Sequence, residues 1–222
     1  MREVPPDLTI RVDGRARRIS LRLNARGAPV LTLPHARLKG EGLRFVAAKR
    51  DWLAAQRART PEPVPFRPGA VVPVAGAPHE IALAGRARDP VRAADGVLHV
   101  GGREETVPAL VTAWLKAEAR RTLVPAVARH CERLGQAPPP LAVRDPKSRW
   151  GSCSSARRLS FSWRLAMAPI EVLDYVAAHE VAHLVELNHS ARFWALVAQL
   201  TPGFEAQEAW LKRHGRGLHR YG

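Results

Sequence analysis

The chain has 222 residues, of which 46% are apolar, and this is enough to bury a sizeable core. Its apolar runs fall short of the roughly 18 to 20 residues that cross a bilayer, and its first residues lack the apolar core of a signal peptide. These features exclude a helical membrane protein and predict a cytoplasmic one with no membrane partner. Two cysteines, Cys131 and Cys153, are too few for a disulfide framework.

The formal net charge is +15, and its excess lies near the start of the chain. Residues 1–60 carry 14 basic and 5 acidic side chains. Such a surface favours acidic partners, nucleic acid first, because each phosphate contact releases counterions and adds affinity. The alternative interpretation is a solvated face rich in arginine. DNA is therefore one candidate partner, bound through the basic N-terminal region.

Strand and helix patterns alternate in the N-terminal part of the chain. Alternating apolar residues predict strands over residues 17–24 and 29–34, joined in a hairpin around Arg26-Gly27. A helical pattern follows over residues 42–59, and a proline-rich stretch ends it. Short apolar runs bounded by glycine predict further strands, over residues 70–76, 79–85 and 96–102. Residues 1–102 are therefore expected to form a β-rich N-terminal region.

The C-terminal part is predicted to be mostly helical. A helical pattern covers residues 105–134 and is expected to bend or break at Pro125. Strand-like segments at residues 141–145 and 159–167 then flank a turn-rich stretch. Apolar stripes and capping residues predict three further helices, beginning at Pro169, after Ser190 and at about Glu205. Residues 103–222 are expected to form a second domain, which gives an α+β protein.

A pair of histidines four residues apart is the clearest sign of function. The stretch HEVAHLVELNH occupies residues 179–189. On a helix, His179 and His183 project from one face, so both imidazoles can reach one ion. Glu180 lies beside that ion without taking a ligand position. This is the H-E-x-x-H arrangement, in which two histidines bind zinc and the glutamate acts as general base.

His189 is the predicted third ligand, since a catalytic zinc takes three protein ligands and keeps one position open. Requiring a histidine six residues after His183 lowers the chance rate of the pattern to roughly one in a thousand. An unbroken helix would carry residue 189 about 9 Å further along its axis, so the helix must end between the two. Asn188 tolerates the left-handed backbone of such a turn, and Ser190 can cap a new helix.

Glu186 is a rival third ligand, because it lies three residues after His183 on the same helical face. The histidine spacing matches the metzincin pattern, but Glu186 stands where a metzincin has glycine. No methionine follows the motif, so no Met-turn is available and the chain is not a metzincin. We predict one Zn²⁺ per chain, held by His179, His183 and His189.

A zinc ion beside a carboxylate is the arrangement of a hydrolytic active site. Bound zinc lowers the pKa of water toward ~7, and Glu180 can accept its proton and pass it to the leaving amine. We therefore predict a zinc-dependent metallopeptidase that cleaves a protein or peptide substrate through a metal-activated water, with Glu180 as catalytic general base. Two alternatives stay open: a basic nucleic-acid-binding protein with a structural zinc, and a zinc hydrolase of non-peptide amides.

Several segments, in this order and spacing, carry a family resemblance. They are RRISLRLNARGAPVLTLP at residues 17–34, RFVAAKRDWL at 44–53, SRWGSCSS at 148–155, LSFSWRLAMAP at 159–169 and HEVAHLVELNHSARFW at 179–194. Together they resemble the YgjP-like metallopeptidase family, which is related to the WLM and SprT-like zinc peptidases. Those relatives include proteases that act on DNA-bound proteins, which fits the positive charge by analogy only.

The resemblance implies a zincin-like core in residues 103–222. It also implies that His179, His183 and His189 bind the zinc and that Glu180 is the catalytic acid/base. No substrate follows from it.

The segment SRWGSCSS leaves several roles open. Cys153 as a nucleophile is one, but nothing in the sequence marks a base dedicated to it. Arg149 or Arg164 could hold a substrate carboxylate or a developing oxyanion, with an ordinary surface charge as the alternative. The tryptophans are expected to be structural, Trp150 in the turn and Trp163 and Trp194 in the core.

Overall fold

The computed structural model describes residues 4–24, 27–58, 62–85 and 90–222. The chain separates into two compact units, Met1–Pro63 and Val64–Gly222. This division differs from the predicted boundary after residue 102. The strands between residues 71 and 100 pack against two later elements of the second unit, the long helix at Val107–Arg133 and the 3₁₀ helix at Trp163–Met167. Helices and mixed sheets are both present, which confirms the α+β class.

The N-terminal unit contains a three-stranded sheet of order β1-β3-β2. Strands β2 (Ser20–Leu23) and β3 (Pro29–Leu33) are the two predicted ones, and they pair antiparallel. Strand β1 (Thr9–Val12) was not predicted, although the apolar Ile10 and Val12 alternate with Thr9 and Arg11 in its sequence, and all four residues are exposed. It pairs with β3 in parallel. Of the predicted hairpin turn, Arg26 lies outside the described residues.

Two helices, α1 (Lys39–Ala48) and α2 (Arg50–Ala58), replace the single helix predicted over residues 42–59. They are separated at Lys49, whose φ of −100° and ψ of 17° leave the helical region. Gly42 lets α1 approach the sheet, since a Cβ added there would lie 2.6 Å from Leu33. The predicted helix end and the start of the proline-rich stretch, residues 59–61, lie outside the described residues.

The second unit begins with a four-stranded sheet of order β4-β5-β7-β6. Its strands are β4 (Val71–Val74), β5 (Ala77–Leu83), β6 (Val91–Ala94) and β7 (Val97–Val100). Three of them match the predicted apolar runs. The fourth, β6, was not predicted because its sequence VRAA carries little strand preference.

Helix α3 (Val107–Arg133) runs through the core of this unit. It continues through Pro125, so the helix does not break at this residue. Proline removes one backbone hydrogen bond from a helix. Burial of the neighbouring apolar residues Leu123, Ala126 and Val127 stabilises the helix on both sides of that defect.

A second sheet, of order β8-β10-β9, precedes the histidine motif. Strand β10 (Leu159–Ser162) pairs in parallel with β8 (Leu141–Arg144) and antiparallel with β9 (Gly151–Cys153). The strand predicted over residues 159–167 is shorter than expected, because Trp163–Met167 form a 3₁₀ helix. Strand β9, for which the sequence predicts only a turn, lies at an edge of the sheet.

Three helices complete the unit and match the predictions: α4 (Ile170–Ala182), α5 (Ala191–Leu200) and α6 (Glu205–Leu218). The hydroxyl of Ser190 accepts a hydrogen bond from the Phe193 N–H at 3.3 Å, so Ser190 caps α5 as expected. Helix α6 begins at the predicted residue, Glu205. None of the helices that the structure describes is both long and apolar enough to span a bilayer.

Candidate metal centre

Three histidines meet at the C-terminal end of α4. His179 lies in its last turn, His183 directly follows its last residue, and His189 belongs to the loop beyond. One ring nitrogen of each lies within 4.8 Å of the others. The Nε2 atoms of His179 and His189 are 3.2 Å apart. The structure therefore brings together all three residues that the sequence predicts as ligands.

The turn between His183 and His189 is made differently from the prediction. Asn188 is not among the residues with positive φ, so the expected left-handed backbone at this position is wrong. Instead its side-chain oxygen accepts a hydrogen bond from the Ser190 N–H at 3.0 Å. An asparagine side chain that bonds the backbone two residues later stabilises a turn without positive φ.

Glu186 does not join the histidines. Its carboxylate faces Arg192, whose Nε lies 4.0 Å away. Its backbone carbonyl instead lies 3.0 Å from Nδ1 of His183. Because a carbonyl only accepts, Nδ1 carries the proton, and Nε2 of His183 is left as the nitrogen that could bind a metal. The geometry thus favours His189 over Glu186 as the third donor.

The environment of His179 and His183 favours the neutral imidazole, which is the form that binds metals. Burial lowers the pKa of His179 to about 4, and the charges of His183 and His189 act in the same direction. Burial also lowers the pKa of His183. Nδ1 of His179 is buried and has no hydrogen-bond partner among the residues that the structure describes. Three imidazoles in one group fit the donor set of a zinc ion.

Phe193 packs against all three histidine rings. Its ring centre lies 4.9 Å from that of His179, 4.4 Å from that of His183 and 4.7 Å from that of His189. The side chain is fully buried. Sequence reasoning missed this residue, because an apolar position in α5 gives no sign of which rings it will contact. Its neighbour Trp194, expected in the core, is half-buried beside His179 and His189.

The carboxylate of Glu180 is buried between α4 and strand β9, with 6% of the residue exposed. Burial raises its pKa to about 7, while the charge of Arg149 and the Cys153 backbone act in the opposite direction. Gly151 lies directly against it, since an added Cβ would approach Oε1 of Glu180 to 2.5 Å. Nothing in the sequence predicted this contact between two motifs.

Glu180 and the three histidines line one open cleft of about 500 Å³. One wall is formed by strand β9, which contains Cys153, and by the residues before it, which include Arg149. The other wall includes Leu187. Leu187 is 70% exposed and gives the cleft an apolar rim. The segment SRWGSCSS and the histidine motif therefore form a single site.

Of the two arginines considered from the sequence, Arg149 lines the cleft and Arg164 does not. Arg164 is buried, where it pairs with Asp145 and donates to the Tyr221 carbonyl at 3.3 Å. Its guanidinium also stacks 4.2 Å from the ring centre of Trp163, which lies in the core as predicted. These contacts give Arg164 a structural role.

Cys153 lacks the environment of a nucleophile. Burial raises the pKa of its thiol, and the charge of Glu180 raises it further. A catalytic cysteine needs the opposite shift, toward the thiolate. Trp150, two residues before Ser152, packs against the ring of His219 with 5.1 Å between centres and so anchors the turn to the end of α6.

A family model described as YgjP-like, metallopeptidase domain, matches residues 17–214. No curated protein matches the sequence. The crystal structure of the metallopeptidase zymogen of Pyrococcus abyssi abylysin is similar over 42% of this chain and 93% of that chain, with 23% sequence identity and a TM-score of 0.38. Because the family model covers nearly the whole chain, this protein belongs to the YgjP-like metallopeptidase family.

Proposed function

We propose that this metallopeptidase is zinc-dependent and cleaves peptide bonds in the cleft between α4 and β9. The observation that carries the proposal is the group of three histidine nitrogens within 4.8 Å, in the same cleft as the buried carboxylate of Glu180. Three protein ligands leave one position of a tetrahedral zinc open, as in catalytic sites. A structural zinc needs a fourth protein ligand, and within the described part of the chain the group has three members.

Glu180 is the proposed general base and, later in the reaction, the general acid. When bound, zinc supplies a Lewis acid and lowers the pKa of a coordinated water toward ~7. The carboxylate of Glu180 accepts a proton from the attacking water and delivers it to the leaving amide nitrogen. Burial raises the pKa of this carboxyl, which helps it to hold the proton between the two steps.

Strand β9 is the proposed support for an extended substrate. It is an edge strand, so its outer backbone groups can pair with a peptide segment, which gives main-chain affinity without selecting a sequence. Arg149, which lines the cleft, is the proposed group that stabilises negative charge on the reacting carbonyl oxygen. Leu187 offers an apolar contact on the opposite wall.

DNA contact through the N-terminal unit stays a prediction from charge. Arg17, Arg18 and Arg22 are exposed there, which fits such a contact. We also propose a cytoplasmic location, in which the two cysteines, both free, stay reduced.

The test is a measurement of zinc content and casein cleavage in the wild type, His189→Ala and Glu180→Gln. We expect about one zinc in the wild type, little in His189→Ala, and full zinc without cleavage in Glu180→Gln. His214→Ala, an exposed histidine outside the group, serves as the control. Tight zinc with cleavage unchanged in Glu180→Gln would reject the proposed mechanism. Adding single-stranded DNA to the same assay tests the role of the N-terminal charge.

A further inference from the structure

A second cavity, of about 440 Å³, adjoins the metal cleft. It is lined by Arg144, Asp145, Pro146, Arg149, Ser152 and Ser160, and we call it the arginine pocket. Arg149 and Ser152 also line the metal cleft, so the two spaces share a wall at strand β9.

Strand register explains why polar side chains gather in the arginine pocket. Ser152 on β9 pairs with Ser160 on β10, so both project from the same face of the sheet. Arg144 on β8 is in register with the residue two positions beyond Ser160 and therefore shares that face. Gly151, against which Glu180 packs, projects to the opposite face. The pocket thus lies on the side of the sheet turned away from the buried carboxylate.

The arginine pocket has an excess of positive charge. Its one carboxylate, Asp145, is already paired with Arg164 and with Nζ of Lys147 at 2.7 Å. Among the residues that the structure describes, Arg144 and Arg149 form no ion pair and no side-chain hydrogen bond. Within the described part of the chain, Arg144 and the two serine hydroxyls are donors that lack an anionic acceptor, whereas Arg149 lies between this pocket and the cleft that holds Glu180.

We propose that the arginine pocket binds a carboxylate of the substrate and selects peptides with an acidic group close to the scissile bond. Planar guanidinium groups match the two oxygens of a carboxylate, and serine hydroxyls can donate to the same oxygens. The inference rests on the proposed peptidase function. An extended peptide beside β9 sends successive side chains to opposite faces of the sheet. A residue next to the one facing the metal cleft therefore points toward the arginine pocket.

A peptide carboxylate fits this pocket better than the backbone of a nucleic acid does. Nucleic acid is bound by rows of basic side chains that follow successive phosphates. Here the donors converge on one cavity that shares Arg149 with the reaction site. A single anionic group attached to the substrate satisfies that arrangement.

The inference is tested by binding rather than turnover, so that its failure is separate from failure of the peptidase proposal. The peptides are blocked at both ends and neutral except for one glutamate, whose position differs from peptide to peptide. Their affinity for the Glu180→Gln variant is measured by titration and compared with that of the same peptides carrying glutamine at that position. We expect at least one position at which glutamate binds about tenfold more tightly than glutamine, the size of a charge-assisted hydrogen bond. Peptides with free and amidated C-termini separate a terminal carboxylate from an acidic side chain.

Adding Arg144→Gln to the same protein should abolish the glutamate preference, since Arg144 lines the arginine pocket but not the metal cleft. Arg67→Gln, an exposed arginine of the same unit outside both cavities, should keep it. A preference that persists in Arg144→Gln overturns the inference, as does the lack of any preference for glutamate or for a free C-terminus. If Arg144→Gln weakens only the binding of a DNA oligonucleotide, the pocket serves nucleic acid and the inference is wrong. A glutamate preference without casein cleavage supports the pocket while rejecting the peptidase proposal.

Discussion

Gly151 on strand β9 lies directly against the side chain of Glu180 on helix α4. A Cβ added to Gly151 would be 2.5 Å from both Cγ and Oε1 of Glu180, well inside any normal contact distance. Glycine at this position therefore leaves room for the carboxylate between the strand and the helix. The proposed general base is positioned by β9 as well as by its own helix.

Gly151→Ala should lower kcat by about 100-fold, because the added methyl group must displace the carboxylate by about an ångström. Zinc should stay bound, since Gly151 is not among the three histidine donors. Gly217→Ala is the control, because an added Cβ there meets nothing within 4 Å. Zinc content and steady-state kinetics of both variants make the comparison. Near wild-type kcat in Gly151→Ala would show that the carboxylate position does not limit the reaction.

The ligand set could be predicted from the sequence because its geometry is mostly local. The helical period places His179 and His183 on one face, and the reach of His189 requires the helix to end first. Ser190 marks the start of the next helix in both sequence and structure. The contact of Gly151 with Glu180 could not be predicted, because it depends on how a three-residue strand packs against a helix.

The roles of the two arginine candidates could not be predicted from the sequence either. Arg149 and Arg164 are equally charged in the sequence, and only tertiary packing separates them. Arg149 lies in the cleft, whereas Arg164 is buried against Trp163 and paired with Asp145. Strand β9 also escapes prediction, since Gly-Ser-Cys has neither alternation nor β-branched residues.

Phe193→Leu should weaken zinc binding, because Phe193 packs against the rings of all three histidines and limits their orientations. Loss of groups that orient metal ligands costs about tenfold or more in metal affinity. Zinc affinity is measured by competition with a chromogenic chelator. Phe66→Leu is the matched control, since Phe66 is equally buried but packs against Trp163. Equal zinc affinity in the two variants would mean that the aromatic packing does not orient the histidines.

Arg164→Lys should lower stability and leave the catalytic constants of the remaining folded protein unchanged. Lysine cannot reproduce the planar contacts that Arg164 makes with Asp145, the Tyr221 carbonyl and the Trp163 ring. We expect a loss of about 2 kcal/mol in the free energy of unfolding, measured in urea. The exposed substitution Arg67→Lys should cause almost none. A raised KM at unchanged stability would instead place Arg164 in substrate binding.

Asp174 on α4 joins this helix to α3 through hydrogen bonds with two residues of α3. It accepts hydrogen bonds from Arg129 at 2.6 Å and from Nε2 of the buried His130 at 3.0 Å. Burial by itself raises the pKa of Asp174, but the hydrogen bonds and charges of His130 and Arg129 outweigh it, so the pKa lies below its ordinary value. A carboxylate with a lowered pKa in the folded state stabilises the protein above its unfolded pKa of about 3.9. That contribution is lost as the pH falls through the folded pKa.

Asp174→Asn should therefore reduce the free energy of unfolding by about 1 kcal/mol near neutral pH, since the amide oxygen still accepts hydrogen bonds but the charge is gone. The difference from the wild type should shrink as the pH falls below about 4, because the wild-type carboxylate then becomes protonated as well. Urea unfolding across this pH range measures it, with the exposed Asp95→Asn as control. A difference that stays constant with pH would show that shape and hydrogen bonding, rather than the charge of Asp174, hold α4 against α3.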